Sequence, residues 1–187
     1  MTKRALMGLI LPAIIGASAA FAQQPTMDKL QFASGSKGYT AMSANKQISG
    51  AVVIPDTYNG KPVTGVATFT SIPTITSAVF PNSLTEIGGN TFLGCTGIKS
   101  ITIPASVTKI GMGAFGGCTN LTSVTFQGGN ASVYLNNANY NLSASSFPGD
   151  LSAKYQAGGA GTYTRSAGSN TWTKQGAAVC PTCGRPL

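Results

Sequence analysis

Residues 98–120 read IKSITIPASVTKIGMGAFGGCTN and match residues 75–97, ITSAVFPNSLTEIGGNTFLGCTG, with a period of 23 residues. The matched pairs are Ile75 and Ile98, Ala78 and Ile101, Phe80 and Ile103, Pro81 and Pro104, Leu84 and Val107, Ile87 and Ile110, Phe92 and Phe115, and Cys95 and Cys118. A third copy begins at Leu121 with LTSVTF and then diverges into QGGNAS. An earlier, degenerate copy reads ISGAVVIPDTYNGKPVTGVATF, in which DTYNGK is predicted to be a turn-forming insertion. Such phasing indicates an internal repeat.

Each copy predicts one coil of a solenoid. The pattern apolar-x-x-apolar-x-apolar is typical of a short strand, and strands of successive coils would stack about 4.8 Å apart. Pro81 and Pro104 end that strand, where a ladder donor is not needed. SLTEIG and SVTKIG then return as an extended arm, and NTFLGC and GAFGGC form a tight helical or 3₁₀ corner that inserts Phe92 or Phe115. Because one coil cannot close a core, the coils must stack and their ends need caps. The predicted fold is therefore mainly β.

The repeat resembles the BspA-type leucine-rich repeat family of bacterial surface proteins. The family pattern is roughly L-x-x-I-x-I-P-x-x-V-x-x-I-G-x-x-A-F-x-x-C-x-x. Residues 98–120 fit it closely, whereas residues 75–97 depart mainly at Asn90 and Thr91. We expect a short leucine-rich-repeat solenoid over residues 39–126. The resemblance implies an exported or surface-displayed recognition protein, often an adhesin for host matrix proteins or for other cells.

The segment IGMGAFGGC contains the letters G-x-G-x-x-G, which also occur in pyrophosphate-binding loops. These letters fall on Gly111, Gly113 and Gly116. In the preceding coil the positions of Gly113 and Gly116 are Asn90 and Leu93, so the repeats do not share the G-x-G-x-x-G pattern. A pyrophosphate loop also requires a following helix and an acidic residue about 20 positions later, where this chain has Val133 and Tyr134. The glycines are predicted to serve a solenoid corner, and we expect no cofactor.

The first 22 residues are predicted to be a secretory signal peptide. MTKR supplies a basic start, ALMGLILPAIIGASA an apolar stretch, and AFA a small-x-small cleavage site. The alternative, a buried or membrane-spanning helix, is less favoured because Pro12 and Gly16 interrupt a stretch shorter than the roughly 20 residues of a span. Residues 23–38 would form a leader, and no later segment is apolar enough to span a membrane. The expected location is secreted, periplasmic or at the cell surface.

Composition limits the partners. Without Lys3 and Arg4, the 12 basic residues become 10 against 4 acidic residues, which gives a net charge of +6. The basic residues are spread singly and do not interleave with aromatic residues, so nucleic acid is not an expected partner. The excess charge suits attraction to acidic surfaces, glycans or matrix proteins. The alternative is that the excess charge has no partner and only keeps the protein soluble.

Residues 127–175 are predicted to cap the solenoid with a short helix and a β-hairpin. FPGDLSAKYQAGG (147–159) reads as the helix, with Asp150 near its start. TYTR and TWTK read as two strands around the turn SAGSN. Tyr163 and Trp172 would either cover the last coil or form an exposed aromatic ligand patch. Covering is favoured, because the last coil must be capped.

The four cysteines fall into two pairs. Cys180 and Cys183 lie in a C-x-x-C of the tail, residues 176–187, which resembles half a zinc site. A closed site needs four ligands and the chain has no histidine, so we favour a flexible tail with an oxidisable pair and expect no metal. Zinc shared between two chains remains an alternative. Cys95 and Cys118 could form a disulfide between coils, but we favour buried thiols.

Catalytic chemistry is not expected. Without histidine, neither a Ser-His-Asp triad nor a Cys-His pair can form, so no catalytic residue is assigned. The acidic residues beyond residue 22 are Asp28, Asp56, Glu86 and Asp150. Their positions show no carboxylate pair of the kind that glycoside hydrolysis uses.

The sequence predicts a non-enzymatic binding module that uses the outward positions of the strands. These candidate ligand-binding residues are Thr76, Ser77, Val79, Lys99, Ser100, Thr102, Thr122, Ser123 and Thr125. Columns of short polar side chains on a flat sheet suit a protein or glycan ligand, such as host matrix or another cell surface. One alternative is that these are merely solvated strand faces, which threonine favours. Another is a structural or self-associating envelope protein, because an open solenoid end offers a sheet edge for pairing.

Overall fold

The structure is a computed structural model that describes residues 29–129, 131–133 and 145–176. In these ranges the chain forms short strands and one helix. They are β1 Leu30–Ser34, β2 Tyr39–Ser43, β3 Gly50–Val53, β4 Thr57–Tyr58, β5 Lys61–Ala67, β6 Ile75–Val79, β7 Glu86–Ile87, β8 Ser100–Ile103, β9 Lys109–Ile110, β10 Ser123–Phe126, β11 Ser132–Val133, α1 Leu151–Gly158, β12 Gly161–Thr164 and β13 Thr173–Lys174. The mainly β prediction is confirmed.

Two sheets enclose the core. Sheet A has the strand order β1-β2-β5-β7-β9-β11, with β4 paired to β5, and sheet B has the order β3-β6-β8-β10-β12-β13. Between coils the strands are parallel, and Ser77, Ser100 and Ser123 occupy one register. Each coil thus supplies one strand to each sheet: β3 and β5, β6 and β7, β8 and β9, β10 and β11. The predicted 23-residue stacking is confirmed, with four coils.

A stack of phenylalanine rings fills the corner of every coil. The rings of Phe69 and Phe92 are 5.2 Å apart, those of Phe92 and Phe115 are 5.4 Å apart, and those of Phe115 and Phe147 are 5.0 Å apart. All four side chains are fully buried. Aromatic pairs at such separations add to the burial of apolar area, so the stack joins the coils along their axis.

Phe147 shows that the repeats continue past residue 126, where we expected the cap to begin. The Phe92 N–H donates to the Ala114 carbonyl at 2.7 Å, and the Phe115 N–H donates to the Ser146 carbonyl at 2.7 Å. Ser146 and Phe147 therefore occupy the places of Ala114 and Phe115 in the next coil. The distance from Phe115 to Phe147 exceeds 23 residues, which is why the period did not reveal this fourth corner.

The corners are runs of hydrogen-bonded turns rather than an assigned helix. Gly113 has a φ of 65° and the equivalent Asn90 a φ of 54°, so this position requires the left-handed region that glycine enters without steric cost. At Gly111 a Cβ atom would lie 2.5 Å from the Gly89 nitrogen of the coil below. Gly113 thus serves a tight turn and Gly111 allows close coil stacking, as predicted for a solenoid corner.

The N-terminal part of the fold includes residues that we expected to be a leader. β1 pairs antiparallel with β2, and β2 pairs parallel with β5 of the first coil. Leu30 and Ala41 bury their side chains against the core. The predicted turn in DTYNGK is present, since Asn59 and Gly60 have φ values of 48° and 75° between β4 and β5. Residues 29–38 are therefore part of the folded unit.

The C-terminal cap covers the last coil. β12 pairs antiparallel with β10, and β13 pairs antiparallel with β12. Tyr163 and Trp172 are buried, and the Tyr163 ring meets Phe126 edge-on at 5.8 Å. The covering role is confirmed, and the alternative of an exposed aromatic ligand patch is wrong. Asp150 precedes α1 without capping it, because its carboxylate accepts the Trp172 backbone N–H at 2.8 Å.

A buried arginine fastens this cap to the third corner. The Arg165 Nε donates to the Leu121 carbonyl at 2.7 Å, and its Nη2 donates to the carbonyls of Cys118 and Thr119 at 3.1 and 3.2 Å. Its Nη1 donates to the Ser169 carbonyl. The guanidinium also lies 4.9 Å from the centre of the Trp172 ring. Burial lowers the pKa of Arg165, and no sequence signal pointed to this role.

Several sequence predictions fall outside the described residues. They are the signal peptide (1–22), residues 23–28 of the expected leader, and the tail with Cys180 and Cys183. Within the described part of the chain, no helix is long and apolar enough to cross a membrane.

Candidate ligand-binding face

The nine predicted site residues lie on β6, β8 and β10 or immediately before them, on the outer side of sheet B. The strand register places Ser77 beside Ser100 and Ser100 beside Ser123. Thr125 pairs with Thr102 in the next column. The chain therefore brings residues 23 positions apart into straight rows, because every coil has the same length on this side.

A third row lies at the start of the strands. Thr76 and Lys99 are exposed, whereas Thr122 is half-buried. The Thr122 Oγ1 donates to the Lys99 carbonyl at 3.3 Å. Lys99 carries the only ammonium group among the nine predicted residues. Because the hydrogen bond from Thr122 uses the Lys99 backbone carbonyl, the Lys99 side chain is free to contact a ligand.

Sequence reasoning missed how far these rows extend. Thr162 pairs with Thr125 and Thr164 pairs with Ser123, so β12 of the cap continues both columns. The Thr125 and Thr162 hydroxyl oxygens lie 2.9 Å apart. The signal that could have revealed this was the alternation in TYTR, which places both threonines on the face opposite buried Tyr163. The cap is thus part of the same outer surface.

The centre of this face is a shallow depression of about 380 Å³. Its polar rim consists of Ser77, Asn82, Ser100, Thr102 and Gln127, and Val79 forms an apolar part of the lining. Val79 is 51% exposed, and Val53, its neighbour on β3, is 42% exposed. The depression offers hydroxyl and amide groups around valine methyl groups. Such a lining can bind a ligand, but it holds no acid or base for proton transfer.

The outer side of sheet A has a different character. A groove of about 620 Å³ is lined there by threonines and charged residues. The Thr85 Oγ1 donates to the Thr64 carbonyl at 3.0 Å, and the Thr108 Oγ1 donates to the Thr85 carbonyl at 3.2 Å. Lys109 and Glu86 form a 2.8 Å ion pair across adjacent coils. Glu86 is exposed and occupies the position in its coil that Lys109 has in the next one.

The described acidic residues do not converge. Glu86 pairs with Lys109, and the Asp150 carboxylate accepts the Trp172 backbone N–H. Asp56 is exposed at the turn between β3 and β4. Within the described ranges, no group of three Cys, Asp or Glu residues is arranged to hold a metal ion.

Cys95 and Cys118 are free, buried thiols. The Cys95 Sγ donates to the Phe69 carbonyl at 2.9 Å, and the Cys118 Sγ donates to the Phe92 carbonyl at 3.1 Å. Each thiol therefore bonds to the corner of the preceding coil, an arrangement that matches the favoured prediction. Burial raises the pKa of the Cys118 thiol to about 12, and it also raises the pKa of Cys95.

These thiols give the stability of the fold a predictable dependence on pH. Cys118 binds its proton more tightly in the folded state than in the unfolded state, whose pKa is 9.0. The resulting stabilisation is complete below pH 9 and is lost as the pH rises towards 12. We expect urea titrations to show a fall in the free energy of unfolding across this range, and Cys118→Ala to make that fall smaller.

A second measurement checks the same burial. At pH 8 we expect iodoacetamide to modify Cys95 and Cys118 only at the rate at which the protein unfolds, because the reactive thiolate is absent from the folded core. Modification of both thiols in the folded protein, at the rate of a free cysteine, would contradict this prediction.

Comparisons with known proteins agree with the fold. The family described as "BspA type Leucine rich repeat region (6 copies)" matches residues 64–153. No curated protein matches the chain. The match to residue 153 includes the corner at Phe147, which ring stacking and hydrogen bonding place in the fourth coil.

Solved structures with similarity are bacterial leucine-rich repeat proteins. A leucine-rich repeat protein from Bacteroides ovatus is 24% identical, with a TM-score of 0.47, over 55% of this chain and 29% of its own. The T. pallidum leucine-rich repeat protein is 20% identical, with a TM-score of 0.41, over 54% of this chain and 59% of its own. A leucine-rich cell surface protein from Faecalibacterium prausnitzii is 28% identical, with a TM-score of 0.43, over 55% of this chain and 31% of its own. This chain thus covers less than two thirds of each protein. Residues 64–153 of this chain are therefore a BspA-type leucine-rich repeat region.

Proposed function

We propose that this chain is an exported, non-enzymatic recognition protein that binds a protein ligand through the outer side of sheet B. The observation that supports this most directly is the alignment of Ser77, Ser100 and Ser123 with the parallel row of Thr102 and Thr125. Leucine-rich repeat proteins of this type are typically non-enzymatic. Export is supported by the signal-peptide pattern of residues 1–22.

The physical suitability of the face comes from its rigidity. Serine and threonine side chains lose little rotamer freedom on binding compared with long side chains. Each is carried by a strand paired on both sides, so the hydroxyl positions are fixed before a ligand arrives. Stacked repeats commonly present such extended binding surfaces.

The choice between protein and glycan follows from the composition of the face. The described outer positions of β6, β8 and β10 are Ser, Thr and Val, without an aromatic ring that could stack on a sugar. The exposed Val53 and Val79 give an apolar contact surrounded by polar groups, which is typical of protein interfaces. A protein ligand is therefore favoured, and a glycan ligand is the alternative that the binding screen described next also tests.

The test is a binding screen of the purified protein against immobilised matrix proteins and cell-surface glycans, with each hit repeated across a salt series. We expect Thr102→Arg to lower binding of the hit at least tenfold, because the larger side chain fills the depression. We expect Lys99→Glu to weaken binding and to change its salt dependence, because rim charges act mainly through long-range attraction.

Matched substitutions on other faces provide the controls. Thr108→Arg places the same side chain on an exposed threonine of sheet A, and Lys154→Glu makes the same charge change on α1. Both should leave binding unchanged. If Thr102→Arg and Lys99→Glu bind as the unmodified protein does, the outer side of sheet B is not the site.

Sedimentation of the same samples tests the competing hypothesis of a self-associating envelope protein. A monomer at all protein concentrations would contradict that hypothesis.

A further inference from the structure

The N-terminal end of the solenoid is stepped. In sheet A, β2 continues beyond β5 of the first coil and β1 continues beyond β2. In sheet B, the strand order ends at β3, which belongs to that same first coil. One sheet therefore projects two strand spacings, about 10 Å, past the other. Beside β3, the described chain supplies no further strand.

The free side of β3 presents unpaired backbone groups. The Gly50 N–H donates to the Thr74 carbonyl at 2.9 Å, and the Ile54 N–H donates to the Val79 carbonyl at 3.0 Å. Alternate residues of a parallel strand face the same neighbour, so Ala51 and Val53 direct their N–H and C=O groups away from β6. Within the described residues, no strand pairs with this side. Such an edge is a template for an added strand.

The sequence of β3 lacks the features that usually block edge pairing. GAVV contains neither a charged residue nor a proline, whereas the opposite edge strand of sheet B, β13, is two residues long and includes Lys174. β3 also carries an exposed apolar side chain next to a second one on β6. Val53 and Val79 are neighbours in the register and line a pocket of about 320 Å³ with Pro55 and Pro81.

The charges around β3 differ between its two ends. Lys46 is exposed shortly before β3, and the Lys29 Nζ lies 3.4 Å from the Gln47 carbonyl, in the same loop. Asp56 is exposed just after β3 and takes part in no ion pair among the described residues. A strand added here would be favoured by an acidic residue near Lys46 and a basic residue near Asp56.

We infer that the β3 edge binds an extended segment of a partner protein as an additional strand of sheet B. Its backbone pairs with Ala51 and Val53, and one of its apolar side chains contacts Val53 and Val79. Main-chain hydrogen bonds would supply affinity. The pocket at Val53 and Val79 and the charges of Lys46 and Asp56 would supply specificity, as in other cases of strand addition. This site shares Val53 and Val79 with the face of the proposed function, but it lies at the β3 edge and does not involve the serine and threonine rows.

A second copy of the chain does not fit this edge. Antiparallel pairing of β3 with β3 of another copy requires a two-fold axis perpendicular to sheet B, so sheet A of both copies would lie on the same side. The projecting hairpin of β1 and β2 would then occupy the space of β5 in the other copy. The projecting hairpin therefore obstructs a two-fold dimer at this edge.

The experiment presents the purified protein to a phage-displayed library of linear 12-residue peptides. Enriched peptides should alternate apolar and polar residues and carry an acidic residue towards one end and a basic residue towards the other. Amide hydrogen exchange should then show that the best peptide protects Ala51 and Val53. Val53→Pro should lower its affinity at least tenfold, because it removes an outward N–H without breaking a bond to β6.

Matched variants separate strand addition from other binding. Val53→Thr keeps the N–H and the side-chain shape and should change affinity less than threefold, and Lys99→Glu should have no effect. If Val53→Pro does not fold, N-methylation of alternate peptide amides replaces it, and only methyl groups facing β3 should abolish binding. The inference is overturned if no peptide is enriched, if Val53→Pro and N-methylation leave binding intact, or if the protein alone forms a dimer that Val53→Pro dissociates.

Discussion

Replacing Phe115 with alanine is expected to lower the free energy of unfolding by about 3–5 kcal/mol, the usual range for removal of a buried phenylalanine. Phe115 is fully buried between Phe92 at 5.4 Å and Phe147 at 5.0 Å, so its loss leaves a cavity in the middle of the ring stack. The stacked backbone on either side cannot close that cavity, because the coil spacing is set by strand pairing. Urea denaturation followed by circular dichroism measures the change.

The same corner supplies the control. Met112 is 44% exposed, and Met112→Ala should change the free energy of unfolding by less than about 0.5 kcal/mol. Phe147→Ala should cost about as much as Phe115→Ala, because Phe147 also contacts Phe126 edge-on at 5.5 Å. A cost at Phe147 as small as that at Met112 would contradict its place as the fourth ring of the stack.

The sequence predicted the regular part of the fold because that part depends on period alone. Residues separated by 23 positions, such as Ile87 and Ile110, pair as expected. The 23-residue period does not predict the position of a corner when the chain between two corners is longer. For this reason Phe147 was predicted to lie in the cap and not in the ring stack. β1 was also missed, although Leu30 and Phe32 alternate with polar residues, because its partner β2 is not a copy of the repeat.

The candidate face was predictable for a similar reason. Outward positions follow from strand alternation once the coils are aligned, which is how Thr102 and Thr125 were placed together. The unpaired side of β3 was not predictable, because it depends on where each sheet ends rather than on any residue of GAVV. Arg165 was also beyond sequence reasoning, since its carbonyl partners at Leu121 and Cys118 lie more than 40 residues away along the chain.

Arg165→Met is the second substitution for which we expect a large effect, about 3–4 kcal/mol of lost stability. Arg165 is 9% exposed, and its guanidinium donates to four backbone carbonyls, at Leu121, Cys118, Thr119 and Ser169. Methionine retains much of the side-chain volume but donates no hydrogen bond. Hydrogen bonds to a charged group contribute about 1.5–3 kcal/mol each. The Leu121 carbonyl would lose the Arg165 donor, whereas the Cys118 and Thr119 carbonyls keep backbone N–H donors at 3.1 and 3.4 Å.

Two further variants identify the cause of that loss. Arg165→Lys keeps the charge, but one ammonium group cannot reproduce the planar donor geometry, so it should still cost about 2 kcal/mol. Lys174→Met removes an exposed cation that lies 5.9 Å from the Tyr163 ring, and it should cost less than about 1 kcal/mol. If Arg165→Lys is as stable as the unmodified protein, charge alone fastens the cap. If Arg165→Met is also as stable, the cap holds through Tyr163 and Trp172, and the buried guanidinium contributes nothing to it.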